Sequence, residues 1–170
     1  MKTLFAALTS LFIAIGSLGA AAPVPATPQV RPIAARHPIY IVRHFQKAEG
    51  TDPSLTAEGA ENAQRLAAML KDKGIAAIFA TPTRRAIETA APLAELLGIH
   101  VTAYNPSDSG QLAALAAAVG APVLIVGHSN TVPDLVHQFG GAKPAPLSDQ
   151  DYGTVYDVEP GGKVVTSQLR

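Results

Sequence analysis

Val123-Leu124-Ile125-Val126-Gly127-His128 is the stretch that decides the fold. Its first four side chains are apolar and three of them are β-branched, the pattern of a strand buried on both faces. Strands of that kind belong to parallel sheets covered by helices. The rest of the chain agrees. Ile39-Tyr40-Ile41-Val42 is a second such run, and residues 75–80 and 99–103 read as two more strands. Helical segments lie between them. Residues 56–73 place Ala60, Ala63, Leu66, Ala67 and Leu70 at helical spacing, with Thr56 as candidate N-cap and Gly74 as stop. Gly59 stands at the capping-box position and removes that reciprocal pair. Residues 84–97 form the next helix, stopped by Gly98. Residues 107–119 form an alanine-rich one with Ser107 as cap candidate, and residues 131–139 a short one ended by Gly140-Gly141. Residues 154–158 and 163–166 flank Glu159-Pro160-Gly161-Gly162, so they read as an antiparallel hairpin. The expected fold is an α/β three-layer sandwich: a mostly parallel central sheet, helices on both faces, and the hairpin at one edge.

Composition limits the function. The chain of 170 residues has 13 basic and 13 acidic side chains, a formal net charge of zero, so it has no global attraction to nucleic acid or anionic membrane. The absence of cysteine excludes disulfide scaffolds, thiolate zinc sites and thiol catalysis. The apolar content is partly a leader. Met1-Lys2-Thr3 is a short positive start, no charge follows from Leu4 to Ala22, and the stretch ends in Gly19-Ala20-Ala21-Ala22-Pro23. This is the plan of a secretory signal peptide at 1–22, cut after Ala21 or Ala22. The rival reading is an uncleaved membrane anchor. Thr9, Ser10, Gly16, Ser17 and Gly19 dilute the stretch and favour cleavage. A cleaved chain is expected to be secreted or periplasmic, without stable membrane insertion. Residues 23–38 hold five prolines and no periodic apolar face, a linker that leaves one folded domain at 39–170.

The chemistry sits at strand ends. Two strands run into histidine, Val42-Arg43-His44 and Val126-Gly127-His128, and the chain after the second strand reads Thr81-Pro82-Thr83-Arg84-Arg85. In an open parallel sheet these ends share one edge, where ligands bind. Any one of these residues alone is more often a surface charge or a satisfied core histidine. Together they crowd cations at one edge, which repel unless an anion joins them. No metal-ligand spacing is present, and no cofactor is expected.

Four segments, Arg43-His44, Asp52-Pro53-Ser54-Leu55-Thr56-Ala57-Glu58-Gly59, Thr81 through Ala90, and Gly127-His128-Ser129, resemble the histidine phosphatase superfamily, its phosphoglycerate-mutase-like branch in compact form. The resemblance runs from Ile39 to about Val158. It implies that His44 is the nucleophile, phosphorylated in turnover, and that Arg43, Arg85 and His128 surround the phosphoryl group. Of the adjacent arginines Arg85 is the match, because it directly precedes Ala86; Arg84 points elsewhere. The physical chemistry is consistent. Arginine forks match a phosphate dianion, neutral imidazole is a competent nucleophile, and a dianion would favour His128 as an imidazolium donor. The implied activity is hydrolysis of phosphomonoesters, on a small phosphorylated substrate or a phosphoprotein. The short stretch from Ala103 to Pro122 leaves the site open to water, which disfavours a mutase.

The chain departs from the family pattern in places. Phe45 stands where the family usually has Gly or Ala, and it is expected to narrow the pocket, to wall it for the substrate, or to impair activity. Gln46 replaces a glutamate that close relatives often carry. The general acid is unsettled: Asp108 is the first candidate, with Glu49 and Asp52 as the others. Asp108 also reads as a first-turn acid that favours the helix dipole. Glu88 lies in a helical motif and reads as structural. Two rivals differ in class. One is a non-catalytic phosphate- or phosphopeptide-binding module on the same fold. The other is a serine hydrolase, since Gly127-His128-Ser129-Asn130-Thr131 nearly spells a nucleophile elbow. The only histidine after Ser129 is His137, about two turns away on the helix that Ser129 opens, so no triad closes.

Overall fold

The computed structural model describes residues 35–169. The expected leader at 1–22 and residues 23–34 of the linker lie outside the described residues. The elements run β1 (Ile39–Arg43), α1 (Ala57–Leu70), β2 (Ala77–Ala80), α2 (Arg84–Leu97), β3 (Val101–Ala103), α3 (Ser109–Val119), β4 (Val123–Gly127), α4 (Val132–Gln138), β5 (Thr154–Val158) and β6 (Val164–Gln168). They form one sheet in the order β3-β2-β4-β1-β5-β6. The first four strands in that order are mutually parallel, and β5 and β6 are antiparallel additions.

The two runs that announced the fold, in β1 and β4, lie side by side and are buried along their whole length. Their side chains alternate between two cores. Tyr40, Val42, Leu124 and Val126 point to the layer of α1 and α2, meeting Leu66, Leu70, Ala90 and Leu93. Ile39, Ile41, Val123 and Ile125 point to the layer of α3 and α4, meeting Leu112, Leu135, Val136 and Phe139. Burial of each such aliphatic side chain is worth about 1.5–3 kcal/mol, so both faces of these strands contribute.

Helix ends follow local chemistry. Thr56 Oγ1 accepts from Gly59 N at 3.1 Å and caps α1. Gly98 ends α2 with φ +65°, which glycine adopts without strain. The cap of α3 is a correction. Asp108, not Ser107, is the N-cap, its Oδ1 accepting from Gln111 N at 2.9 Å. Ser107 N instead donates to Asn105 Oδ1, which places Ser107 in the preceding turn. The second strand also starts later than expected, at Ala77; Ile75 is buried in the core but outside the ladder.

Register sets the functional rim. Arg43 pairs with Gly127 and Ala80 with Val126, so β1, β4 and β2 end almost level. The ladder continues one residue further: His44 N donates to Gly127 O at 3.0 Å, and Thr81 N to Val126 O at 3.3 Å. Because β5 is antiparallel to β1, with Val155 opposite Val42, the chain enters β5 over this same rim.

Candidate active site

The rim brings His44, His128, Arg43 and Arg85 together. The imidazole rings of His44 and His128 stand edge to face with centroids 5.2 Å apart. His44 Nδ1 lies 2.8 Å from Phe45 O. A carbonyl only accepts, so Nδ1 carries the proton and Nε2 holds the lone pair. Burial holds the His44 pKa down at about 4, with His128, Arg85 and Arg43 adding to the effect against the bond to Phe45 O. A neutral imidazole with a free Nε2 is what a nucleophile needs near neutral pH.

His128 Nε2 lies 2.9 Å from Thr81 Oγ1, and Thr81 is fully buried. Burial, then Arg85 and Arg43, lowers the His128 pKa to about 4 as well. The protein's own charges therefore leave His128 neutral. The expected imidazolium needs a dianion beside it to reverse that bias.

The arginines are held differently. Arg43 is 5% exposed. Its Nη1 donates to Ser148 O at 2.7 Å and to Asp151 O at 3.3 Å, its Nη2 donates to Tyr152 Oη at 3.2 Å, and its guanidinium lies 4.1 Å from the centre of the Tyr152 ring. Asp149, 95% exposed, reaches within 3.8 Å of Nη2. Arg85, at the start of α2, is 18% exposed and has Asp52 Oδ1 at 3.7 Å from Nη1. In both side chains the Nε is buried and has no hydrogen-bond partner. Two arginine Nε–H donors without acceptors, next to two uncharged imidazoles, make a site suited to an anion.

The remaining candidates sort by their contacts. Arg84 turns away to Glu88 Oε1, 3.0 Å from its Nε. Glu88 also accepts from Leu55 N at 2.7 Å, so it ties the loop after β1 to α2, the structural part read from sequence. Phe45 corrects an expectation. It is fully buried in the core with Ala63, Leu66 and Leu93, and it neither walls nor narrows the pocket. Past the end of β1 the Phe45 side chain lies in the layer of α1 and α2, and Phe45 N donates to Thr89 Oγ1. Gln46 likewise serves α1, with its amide bonded to Glu58 Oε1 and Asn62 Nδ2. Among the acids, Asp108 is spent on the α3 cap and Glu49 is exposed in the loop after β1. Of the three candidate general acids, Asp52 is the one that stands beside a site residue, and its Oδ1 also accepts from Arg84 N at 3.0 Å. Among the described residues no hydrogen bond links Ser129 to a histidine, and His137 is exposed on α4, which leaves the hydrolase reading without a base.

Two glycines allow close approach. A Cβ on Gly127 would stand 2.8 Å from Thr131 Oγ1, the atom that accepts from His128 N. A Cβ on Gly59 would stand 2.2 Å from Gln46 O. That contact seats the start of α1 on the segment just after His44, where Thr56 N also donates to Gln46 O. The excursion between them is closed at its base, with Lys47 bridging Leu55 and Ala48 N donating to Ser54 O.

Sequence reading missed the segment 148–152. The signal was present in the expected hairpin: a strand antiparallel to β1 must be entered from the rim where β1 ends. Thr81, the partner of His128, opens the motif that runs to Ala90, and sequence reasoning assigns it no role.

Comparison with known proteins finds a family model over part of the chain and solved structures of the same fold. The model of the histidine phosphatase superfamily (branch 1) matches residues 39–105. That span holds three of the four motifs that carry the resemblance, and geometry joins His128 of the fourth to them. Among solved structures, the protein histidine phosphatase SixA complexed with tungstate superposes with a TM-score of 0.59 at 21% identity, over 76% of this chain and 94% of that one. A mycobacterial glucosyl-3-phosphoglycerate phosphatase gives 0.58 at 16% identity, over 71% and 88%. The phosphoserine phosphatase from Entamoeba histolytica, in complex with 3-phosphoglyceric acid, gives 0.56 at 15% identity, over 78% and 95%. No curated protein sequence matches significantly.

Proposed function

We propose that this chain, similar in sequence and fold to the branch 1 histidine phosphatases, hydrolyses phosphomonoesters through a phosphohistidine at His44. The observation that carries the reading is the pair of buried, unpartnered Nε atoms of Arg43 and Arg85 beside an imidazole whose Nε2 is free. In the first step the Nε2 lone pair attacks phosphorus, an N–P bond forms and the P–O bond to the leaving group breaks. The two guanidinium groups and His128 bear on the non-bridging oxygens, where charge is stabilised. The leaving oxygen takes its proton from solvent; of the three candidate acids Asp52 alone stands beside a site arginine, and its carboxylate is engaged by Arg85 and by Arg84 N. In the second step water attacks phosphorus, the N–P bond breaks, and phosphate leaves with His44 restored. Substrates named for the neighbours range from small phosphate esters to a phosphorylated protein, and the reading covers either class. The leader supports export, which detection of a mature N-terminus at Ala22 or Pro23 would establish.

The test uses a chromogenic phosphate ester. Turnover is expected to survive chelator, to vanish in His44→Ala and to persist in Ser129→Ala. Turnover that persists in His44→Ala overturns the reading, and phosphate binding by the wild type without any turnover replaces it with the binding module.

A further inference from the structure

Resting on that phosphatase reading, a residue outside its four motifs has a part in the site. We propose that Tyr152 is a positioning residue: its ring and hydroxyl lock the Arg43 guanidinium so that Nε–H faces the phosphoryl group.

A guanidinium has five N–H donors in one plane. Three of those of Arg43 are taken by the chain entering β5: two by the carbonyls of Ser148 and Asp151, one by the Tyr152 hydroxyl. What remains is Nε–H and one N–H of Nη2. The carbonyls fix the group within its plane. They do not fix the tilt of the plane, since each lies at its far end. The Tyr152 ring does that, because it covers one face at 4.1 Å. The same ring is 6.2 Å, centre to centre, from His44. Tyr152 is therefore packed against the nucleophile and against the arginine beside it. Its backbone is anchored independently, with Tyr152 O accepting from Gln168 Nε2 at 2.8 Å, so β6 holds the ring in place. A side chain as long as arginine loses much rotamer freedom when fixed. Here that loss is met in the folded protein before substrate arrives, which is the condition for pre-organised charge stabilisation.

The test reads Arg43 directly. In protein labelled with nitrogen-15, the buried Arg43 Nε–H should give a sharp cross-peak, assigned by its loss in Arg43→Lys. Inorganic phosphate should shift it. Tyr152→Phe keeps the ring and removes the hydroxyl, so the peak should stay sharp and the phosphate Kd should rise about threefold, the range of one hydrogen bond. Tyr152→Leu removes the ring as well. The peak should broaden and the Kd should rise about tenfold or more, the range of a desolvated cation–π contact plus that bond. A sharp peak with an unchanged phosphate Kd in Tyr152→Leu overturns the proposal. If circular dichroism shows that this variant is unfolded, Tyr152→Phe decides alone, and an unchanged Kd overturns it. Binding is measured without turnover, so failure here is separable from failure of His44 as nucleophile. Phosphate that shifts no arginine signal in the wild type sinks the site itself and this proposal with it.

Discussion

Arg43 and Arg85, proposed to hold one anion, stand in opposite structural situations. Arg43 grows from a central strand, is almost wholly buried, and is held by two backbone carbonyls and an aromatic ring from a segment more than 100 residues away. Arg85 grows from the first turn of a helix, keeps some solvent contact, and has one carboxylate at long range. The first is built into the fold; the second can adjust. The difference teaches that charge alone does not define a phosphate site, because equal charges here differ in how much structure depends on them.

Arg43→Ala should break the site most severely. It removes a donor to the transferred group, which costs about 10²–10³-fold in kcat. It also leaves the carbonyls of Ser148 and Asp151 without their donors, so urea unfolding should show a loss of about 1–3 kcal/mol. Arg85→Ala should come next, with a similar fall in kcat but stability within about 0.5 kcal/mol of wild type. Equal stability losses in the two variants would erase the contrast.

The third effect concerns pH. His44 and His128 have folded pKa values near 4, below the ordinary histidine value of 6.5. Between pH 6.5 and 4 the unfolded chain binds protons that the folded chain does not. Stability is therefore full above pH 6.5 and falls as pH drops toward 4. Thermal melts across that window should show the decline, and saturating phosphate should reduce it by favouring protonated His128. A flat melting temperature from pH 7 to pH 4 would show that the histidines are not buried as described. The smallest effect belongs to Asp52→Asn. Its pair with Arg85 is more than half exposed on the acid's side, and such pairs are worth about 0–1 kcal/mol, so KM should move by no more than a few fold. A fall in kcat of about 10² or more would instead make Asp52 the proton donor.

The same contrast marks what the sequence could reveal. Arg85 was legible because it sits in a local motif at the start of a helix whose spacing is plain. His44 and His128 were legible because each ends an apolar run, and parallel strands bring such ends to one edge. The surroundings of Arg43 were not. Its partners lie in residues 148–152, a stretch with no periodic pattern, and only the tertiary fold places them at the rim. Phe45 misled for a related reason. A residue just past a strand end looks ready to face a ligand, yet here its amide is bonded to Thr89 on α2 and its side chain is packed inward. Asp108 shows a local effect winning instead, since a carboxylate three residues before an available helix amide is captured as a cap.

The pinned excursion between Gln46 and Thr56 has a consequence for how such a protein can diversify. Its two ends are fastened to each other and to α1 by backbone contacts, one of them so close that only glycine fits at position 59. Lengthening a loop costs little, about 0.6 kcal/mol for each doubling. Residues inserted around Gly50 would thus extend outward from a closed neck, with His44 behind it left in place. The fold carries a port where new recognition surface can be grafted onto an unchanged reaction centre.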